Sequence, residues 1–474
     1  MKDLRNLIGF SFKQLEQTLW GIMLEEFSKG LVEVLSVLDE LLFKQRDTKR
    51  FESKGFVSRS MGTMLGRDVC FRRRRYRDRQ TGKEVFLLDE VLEIGAHTQL
   101  SPGLMALMLT QSVTTNSYRK AAESICRFLG FQAVSHETIR QLVLHMGDEL
   151  ERLGAEERQN PRGSRKVRVL FIEADGMWVP LQKSSKKRIE EKLITSHEGW
   201  EPRYAGSEEY RLKGLRQFRT HRPGDVWEDA SRWVYSRYDI DEDTIVVING
   251  DRAPWIRRGV EYFPNAMYQV DRFHLIRDLK RLFGSGSKTY RQLIDTLESD
   301  ELTGATFLAQ LAEATSKLTD PKRREEAQNL VDDLATMPEA VVDYRMRLKA
   351  LGVSVERLRG MGAAESQVDR FSDRIKGGRS WRPTGLGAMM ELQRTRHEGI
   401  FGDIVEHIEE WAKAGGEMLE DAKETVRKAA RAVVAAATDT LRAGVPIKLV
   451  GKSASGGLSY LFHRLEEGGM PSAT

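Results

Sequence analysis

The chain has 474 residues, enough for several domains, and its 40% apolar residues include no run near the ~20 that a membrane span needs. Its two cysteines, Cys70 and Cys126, are too few for a disulfide framework or a four-cysteine zinc site, and the first residues lack the apolar core of a secretory signal. We therefore expect a cytoplasmic, nucleoid-associated protein. A net charge of +5 with 75 Lys and Arg is compatible with nucleic-acid binding.

Residues 12–46 have the pattern of a long helix. Apolar residues recur there at alternating steps of four and three, as in a coiled-coil seam: Trp20, Leu24, Phe27, Leu31, Val34, Leu38 and Leu41. Three heptads are short for an autonomous coiled coil. Packing on the chain's own body and dimerisation are therefore both open for residues 1–50, and a homo-oligomer is expected.

A cluster of arginines surrounds Tyr76, just before a hairpin turn predicted in RQTGKE. Its members are Arg72, Arg73, Arg74, Arg75, Arg77 and Arg79. Six arginines in eight positions repel one another unless anions separate them, so a phosphate-binding ribbon is favoured over a merely solvated surface.

Two helices follow, over about 117–129 and 135–146, with a turn at Gly130 between them. Their spacing is that of a helix-turn-helix, whose second helix enters the DNA major groove. His136 and Arg140 on the second helix are the residues expected to contact DNA. Residues 51–150 are thus predicted to be a mainly helical DNA-binding region with an arginine ribbon.

Residues 151–168 are polar and contain Pro and Gly, as in a linker. Strand patterns begin after them: 167–172, a strand within EEKLITSHEGWEP, 245–249, and 267–270 followed by a helix. A charged, helical insertion is predicted over about 280–355. Residues 401–474 are predicted to be a C-terminal helical segment, ended by Gly444, and a loosely ordered tail.

Two of the predicted strands lead to an aspartate. Asp175 follows the first apolar strand, and Asp251 follows "VVING". Two carboxylates on neighbouring strands repel each other unless a cation lies between them, and Mg²⁺ is a hard ion that takes carboxylate oxygens. The alternatives are purely structural roles: Asp251 caps the next helix, and Asp175 is a turn residue. Pattern alone does not identify a third carboxylate.

Three blocks of sequence resemble a bacterial insertion-sequence transposase of the ISLre type, a group sometimes filed as an uncharacterised family within the Mutator-like superfamily of DDE transposases. The blocks are "FIEADGMWVPLQ", "INGDRAPWIRRGVEYFPNAMYQVDRFHLIRDL" and "GAAESQVDRFSDRIKGGRSWRPTGLGAM". The resemblance covers roughly residues 35–400. It implies a catalytic set of Asp175, Asp251 and Glu365, with Asp271 and His274 beside it.

The resemblance also implies a fold, a reaction and a cofactor. Residues 169–400 would be an α/β catalytic domain with an RNase H-like mixed sheet, following the N-terminal helical DNA-binding region. The three acids would hold two Mg²⁺ or Mn²⁺ ions for cleavage of double-stranded DNA at transposon ends and for strand transfer to a target. Arg374 and Lys376 would hold the DNA backbone.

The sequence departs from the family at two places. Arg252 stands where many relatives have Gly, and a cationic side chain there would narrow the approach or contact phosphate. The residue after Glu365 is Ser, where relatives often have Gly or His.

Alternatives stay open beside these assignments. Asp271 and His274 could simply stabilise a helix, and Trp178, Trp255 and Trp381 are interpreted as core or interface residues rather than base-stacking platforms. The alternative functions are an RNase H-like nuclease or resolvase, and a non-catalytic DNA-binding protein derived from a transposase.

Overall fold

The computed structural model describes residues 11–66, 68–95, 98–299 and 303–408. The chain divides into two compact units, Met1–Leu142 with Gly402–Thr474, and Val143–Phe401. Within the described ranges, no helix is both long and apolar enough to cross a lipid bilayer.

The first unit combines helices with a small antiparallel sheet. Helix α1 (Phe12–Gln45) precedes three strands, β1 (Phe51–Met61), β2 (Val69–Asp78) and β3 (Glu84–Val85), which pair in the order β1-β2-β3. The predicted hairpin turn is confirmed, because β2 and β3 pair on either side of it.

Helix α1 packs on the sheet through its C-terminal half. The buried side chains of this contact are Leu35, Leu38, Leu42, Met61 and Phe71. By contrast, Trp20 and Phe27 of the predicted seam are 40% and 43% exposed. The expectation that the helix packs on the chain's own body is therefore confirmed for its second half, and self-association through the first half stays a prediction.

The rest of this unit is helical. The helices are α2 (Leu87–Val91), α3 (Pro102–Thr114), α4 (Tyr118–Leu129) and the start of α5 (His136–Gln159). Helix α4 ends at Gly130, whose φ of 82° is a left-handed conformation that glycine adopts without strain. The two helices predicted on either side of this glycine are thus confirmed as elements.

The second unit is built on a mixed sheet. Its strands are β4 (Val169–Pro180), β5 (Arg188–His197), β6 (Trp200–Pro202), β7 (Tyr210–Leu212), β8 (Arg216–Thr220), β9 (Ile245–Gly250) and β10 (Ala266–Val270). Five of them pair in the order β10-β9-β4-β5-β8. Strands β4, β9 and β10 are parallel, whereas β5 is antiparallel to both β4 and β8. The predicted α/β class with a mixed sheet and a helical N-terminus is confirmed at this level.

Helices surround this sheet. They are α6 (Val226–Tyr235), α7 (Pro254–Arg257), α8 (Arg272–Phe283), α9 (Lys288–Glu298), α10 (Gly304–Ser316), α11 (Pro321–Ala335), α12 (Tyr344–Ala350), α13 (Ala363–Ile375) and α14 (Pro383–Glu398). Helix α15 (Phe401–Glu406) follows and, from Gly402 on, belongs to the first unit. Two 3-10 turns cover Arg258–Tyr262 and Pro338–Val341. The predicted helical insertion is therefore present between β10 and α13.

The two faces of the sheet are covered differently because side chains alternate along each strand. Leu170 and Ile172 join a large apolar core that also includes Leu297, Phe307 and Leu330 of the helical insertion. The opposite face carries Phe171 and several polar residues. The apolar side chains of the helical insertion are thus buried in the main core of this unit. For this reason the charged insertion can interrupt the sheet without forming a core of its own.

Two predicted boundaries differ from the structure. Residues 151–159, predicted to be linker, continue α5 as far as Gln159 because a helix tolerates a run of charged residues on its exposed side. Residues 409–443 of the predicted C-terminal helical segment, and the tail after them, lie outside the described residues.

Candidate active site

Three neighbouring parallel strands carry a row of polar side chains at their carboxyl ends. In the register of the sheet, Glu173 of β4 lies beside Asn249 of β9, and Asn249 lies beside Gln269 of β10. The residues two positions further along each segment are all aspartates: Asp175, Asp251 and Asp271. Three carboxyl groups therefore gather at one edge of the sheet.

Asp175 lies within β4, opposite Leu193 of β5, and does not follow the end of the strand as predicted. The strand continues because β5 still pairs with it, whereas its parallel pairing with β9 ends at Glu173. The pKa of Asp175 is raised to about 6, first by burial and then by the negative charges of Asp251 and Asp271. These acids are therefore close enough to influence one another.

Asp251 does not cap the following helix. The N-cap of α7 is Ala253, which makes no side-chain cap hydrogen bond. The Oδ1 atom of Asp251 instead accepts a hydrogen bond from the backbone N–H of Ala253 at 3.1 Å, which holds the carboxylate in a short turn at the end of β9. The helix-cap alternative is therefore wrong.

Asp271 and His274 form a pair at the start of α8. Asp271 is the N-cap, and its Oδ1 accepts from the backbone N–H of His274 at 2.9 Å and lies 2.9 Å from the Nδ1 of the same residue. The hydrogen bond with Asp271 raises the pKa of His274. Although burial opposes ionisation, the bonds from His274 hold the pKa of Asp271 below its usual range. Asp271 and His274 therefore stabilise the start of α8, as the alternative interpretation predicts, and the pair lies near Asp175.

Glu173 makes more hydrogen bonds than any other carboxylate of this row. It is 1% exposed, and its Oε2 accepts from the backbone N–H groups of Gly362 and Ala364 at 2.9 and 3.2 Å. The same oxygen accepts from the amide of Asn249 at 3.3 Å, and Oε1 lies 3.2 Å from Nε2 of His197. A negative charge at these N–H groups satisfies the free donors of a helix N-terminus and interacts favourably with the helix dipole.

Helix α13 consequently lies along β4. Ala364 at its start is held at Glu173, and Ser372 near its end has its Oγ 3.5 Å from the sulfur of Met177. Glu365 is half-buried in the first turn of this helix. Within the described ranges, no three His, Cys, Asp or Glu side chains are grouped closely enough to hold a metal ion.

The cations predicted near Glu365 are less available than expected. Arg374 is 5% exposed, with its guanidinium 5.2 Å from the ring centre of Trp381, so it faces the interior. Lys376 follows the helix as its half-buried C-cap. Trp381 is buried and Trp255 half-buried, in agreement with the core interpretation, but Trp178 is 51% exposed and is not a core residue.

Arg252 turns away from the edge of the sheet toward acids of the same unit. Its Nε and Nη2 donate to Asp333 at 3.1 Å and to Asp278 at 2.8 Å. Its φ of 71° is a left-handed value that favours glycine. Ion pairs with α8 and α11 therefore hold a strained arginine at this turn, and the expected phosphate contact is not supported by this geometry.

The six predicted ribbon arginines fall into two groups. Arg73 is buried and paired with Asp89, and Arg74 pairs with Asp39 at 2.8 Å. Burial, followed by the charge of Arg59, lowers the pKa of Arg73 to about 10. The other four are at least partly exposed: Arg72, Arg75, Arg77 and Arg79. Among them, Arg75 and Arg79 lie 3.5 Å from Glu84 and Glu52, respectively.

The predicted recognition helix begins as expected. Ser135 accepts from the backbone N–H of Thr138 at 3.0 Å, which caps α5. His136 is exposed, and Arg140 pairs with Glu137 one turn earlier at 2.6 Å. An exposed pair of this kind contributes little to stability, so Arg140 can exchange it for a phosphate.

The sequence interpretation missed Glu173 and Asn249. Both occupy apolar strands, and each was passed over in favour of the aspartate two residues later. The signal was present, because a charged residue in a buried strand must find hydrogen-bond partners. Its partners, the N–H groups of residues 362 and 364, are nearly two hundred positions away and could not be identified from pattern.

Comparisons with known proteins give a family but no activity. The model of an uncharacterised protein family, UPF0236, matches residues 5–411. A UPF0236 protein of Caldanaerobacter subterraneus subsp. tengcongensis, whose name joins eleven loci, is 25% identical over 81% of this chain and 77% of its own length. A UPF0236 protein of Streptococcus gallolyticus, from the vanSb 3' region, is 28% identical over 82% of this chain and 83% of its own length.

One solved structure is also similar at a low level. It is the Drosophila P element transposase strand transfer complex, with 10% identity, 76% of this chain and 93% of that chain covered, and a TM-score of 0.23. A score this low carries no argument about fold or function.

Proposed function

This chain belongs to the UPF0236 family, and from the site described above we propose that it is a DDE transposase of the ISLre type, within the Mutator-like superfamily. It cleaves DNA at the ends of an insertion sequence and transfers the freed strand to a target. Asp175, Asp251 and Glu365 are its proposed catalytic and metal-binding residues, with Asp271 and His274 supporting them.

One observation carries the proposal: aspartates stand at equivalent positions on three adjacent parallel chain segments, each two residues beyond the last polar residue that pairs across β4, β9 and β10. The raised pKa of Asp175 reflects burial and the charges of Asp251 and Asp271. Such an arrangement costs free energy in a protein that needs only stability, because buried like charges repel each other. The strand order β10-β9-β4-β5-β8, with only β5 reversed relative to its neighbours, supports an RNase H-like assignment of the sheet.

The donor set fits a hard divalent cation. Carboxylate oxygens are the ligands that Mg²⁺ and Mn²⁺ accept, and a cation offsets the repulsion between Asp175 and Asp251. When bound, two such ions supply positive charge to the scissile phosphate and lower the pKa of the attacking water. Asp175 and Asp251 would hold such ions at this edge of the sheet, and Glu365 in the first turn of α13 would be the third ligand.

The remaining residues of the site position these ligands. Glu173 fixes the start of α13, and with it the first turn that carries Glu365. Asn249 donates to both Glu173 and Asp271, at 3.3 and 3.0 Å, and so joins neighbouring strands below the aspartates. A hydrogen-bonded layer of this kind keeps the geometry constant when charge is added above it.

The relatives support transposition over a plain nuclease. The name of one relative joins eleven loci of a single genome, and a gene that moves by copying or repeated insertion accumulates in this way. DNA contacts are proposed for Arg72, Arg75 and Arg77 of β2, for Arg79 just after it, and for His136 and Arg140 of α5. Arg73, Arg74 and Arg374 are excluded from this set because their side chains contact other residues inside the protein.

A joining assay tests the proposal. The full chain would be incubated with Mg²⁺, a labelled DNA containing the sequences that bound its gene, and a target plasmid. We expect cleavage at the element ends and a labelled product joined to the plasmid. Cleavage without joining would support a nuclease or resolvase, and metal-independent binding without cleavage would support a DNA-binding protein; either result overturns the transposase proposal.

A further inference from the structure

The hairpin between β4 and β5 presents an isolated group of cations. Lys183, Lys186, Lys187 and Arg188 are all exposed, within six positions of the chain. None of them forms an ion pair with another described residue of the protein, in contrast to Arg73, Arg74 and Arg75 of β2. Like charges this close repel one another, and an anionic partner relieves that repulsion.

An exposed aromatic ring lies at the base of the same hairpin. Trp178 is 51% exposed, and the guanidinium of Arg188 lies 4.8 Å from its ring centre. A tryptophan with one face covered by arginine and the other open to solvent offers a flat surface to a nucleic-acid base.

The hairpin is braced from below. The backbone N–H of Trp381 donates to Pro180 at 3.0 Å, and that of Gln182 donates back to Trp381 at 2.8 Å. Trp381 is itself buried, and its indole N–H donates to the carbonyl of Ile375, the last residue of α13. The hairpin is thereby fixed to both β4 and α13, the two elements that carry Asp175 and Glu365.

These contacts fix the position of Trp178 relative to Asp175. Trp178 is three residues beyond Asp175 on the same strand, which corresponds to roughly 10 Å along it. Because side chains alternate along a strand, the two side chains leave opposite faces of the sheet, so Trp178 lies near the proposed catalytic edge but does not face it.

We propose that this hairpin binds single-stranded DNA close to the proposed catalytic edge. Lys183, Lys186 and Lys187 contact its phosphates, and an unpaired base stacks on the Trp178–Arg188 pair. The inference rests on the proposed function only in assigning Asp175 to DNA chemistry. It identifies the substrate as a DNA end with a single-stranded extension rather than a fully paired duplex.

The phosphate contacts are tested by salt dependence. Wild-type protein would be compared with a variant in which Lys183, Lys186 and Lys187 are changed to Gln, in EDTA, by fluorescence anisotropy with labelled DNA. The matched control changes three exposed cations of the helical insertion to Gln: Lys288, Lys322 and Arg323. We expect the slope of log K against log salt to flatten by roughly 2 to 3 units in the hairpin variant, near 0.7 to 0.9 per lost contact, and not in the control.

The stacking contact is tested with Trp178→Ala, and Tyr204→Ala serves as a control because Tyr204 is 71% exposed. The probes are a duplex with a 3' extension carrying 2-aminopurine and the matching blunt duplex. Trp178→Ala should weaken binding to the extended DNA about tenfold, leave blunt-duplex binding unchanged, and remove the change in 2-aminopurine fluorescence.

Equal behaviour of the hairpin variants and their controls would overturn the inference, as would equal effects of Trp178→Ala on both DNAs. Both measurements are made without divalent metal. A hairpin-dependent result in a protein that never cleaves DNA would therefore leave this inference standing while the proposed function fails.

Discussion

Removal of the Glu173 carboxylate should release the start of α13. In Glu173→Ala, the backbone N–H groups of Gly362 and Ala364 and the amide of Asn249 lose a buried acceptor. An unsatisfied buried donor costs about 1–3 kcal/mol, so we expect the free energy of unfolding to fall by at least about 3 kcal/mol. Glu173→Gln keeps one carbonyl oxygen for these donors and loses only the charge, which should cost about 1–2 kcal/mol.

Urea denaturation measures the two losses, and hydrogen exchange locates them. The amides of residues 362–366 should exchange faster in Glu173→Ala, whereas amides in α10, whose Phe307 and Leu311 belong to the large apolar core, should change only as much as global stability does. If Glu173→Ala loses less than about 1 kcal/mol, or if exchange at the start of α13 is unchanged, this carboxylate does not anchor the helix.

Three further predictions concern single residues. Arg252→Ala and Arg252→Gly both lose the ion pairs, but only the Gly variant also relieves the left-handed backbone strain at φ 71°. Urea denaturation should therefore find the Gly variant more stable than the Ala variant by about 1 kcal/mol, and equal stabilities would contradict the strain. Arg77→Ala should flatten the salt dependence of DNA binding by roughly 0.9 units, and Arg73→Ala should lower stability without that change; the reverse pattern would place Arg73 on the DNA. Burial, with the charges of Arg370 and Arg396, lowers the pKa of His397 to about 4. The unfolded chain therefore binds a proton at His397 at a higher pH than the folded protein does. Stability should be lost as the pH falls from about 6.5 to 4, by roughly 3 kcal/mol. His397→Gln should remove that part of the pH dependence, and denaturation curves with the same pH dependence in both proteins would refute it.

The parts of the fold that depend on local pattern could be predicted. The buried run at 245–250 and the helix that starts at Ser11 carry their own signals, β-branched residues and a capping box. The sequence predicts an interruption of β4 at Asp175, with the extended pattern resuming at Trp178 and Val179, because an aspartate in the middle of a strand resembles a strand end; the strand is continuous. Its pairing with β5 on the other side, a contact that no local pattern encodes, keeps residues 175–180 extended.

The candidate site could be predicted only where an acid follows an apolar run of strand residues. Asp175 and Asp251 satisfy that rule, but the layer below them, in which Glu173 holds the start of α13, depends on chain segments brought together by the fold. The arginine run shows the opposite error. A dense charge cluster indicated DNA contact for all six arginines, yet Arg73 and Arg74 pair with acids that lie far from them in sequence.

Asp251→Asn tests the central claim most directly, because it keeps the shape of the side chain and removes the charge that holds Mg²⁺. Asn can still accept the hydrogen bond from Ala253, so the fold should be preserved. Cleavage of DNA carrying the element's own ends should fall by orders of magnitude, while DNA binding in EDTA stays the same or rises slightly because a negative charge facing the phosphates is gone. Wild-type levels of Mg²⁺-dependent cleavage by Asp251→Asn would contradict the account.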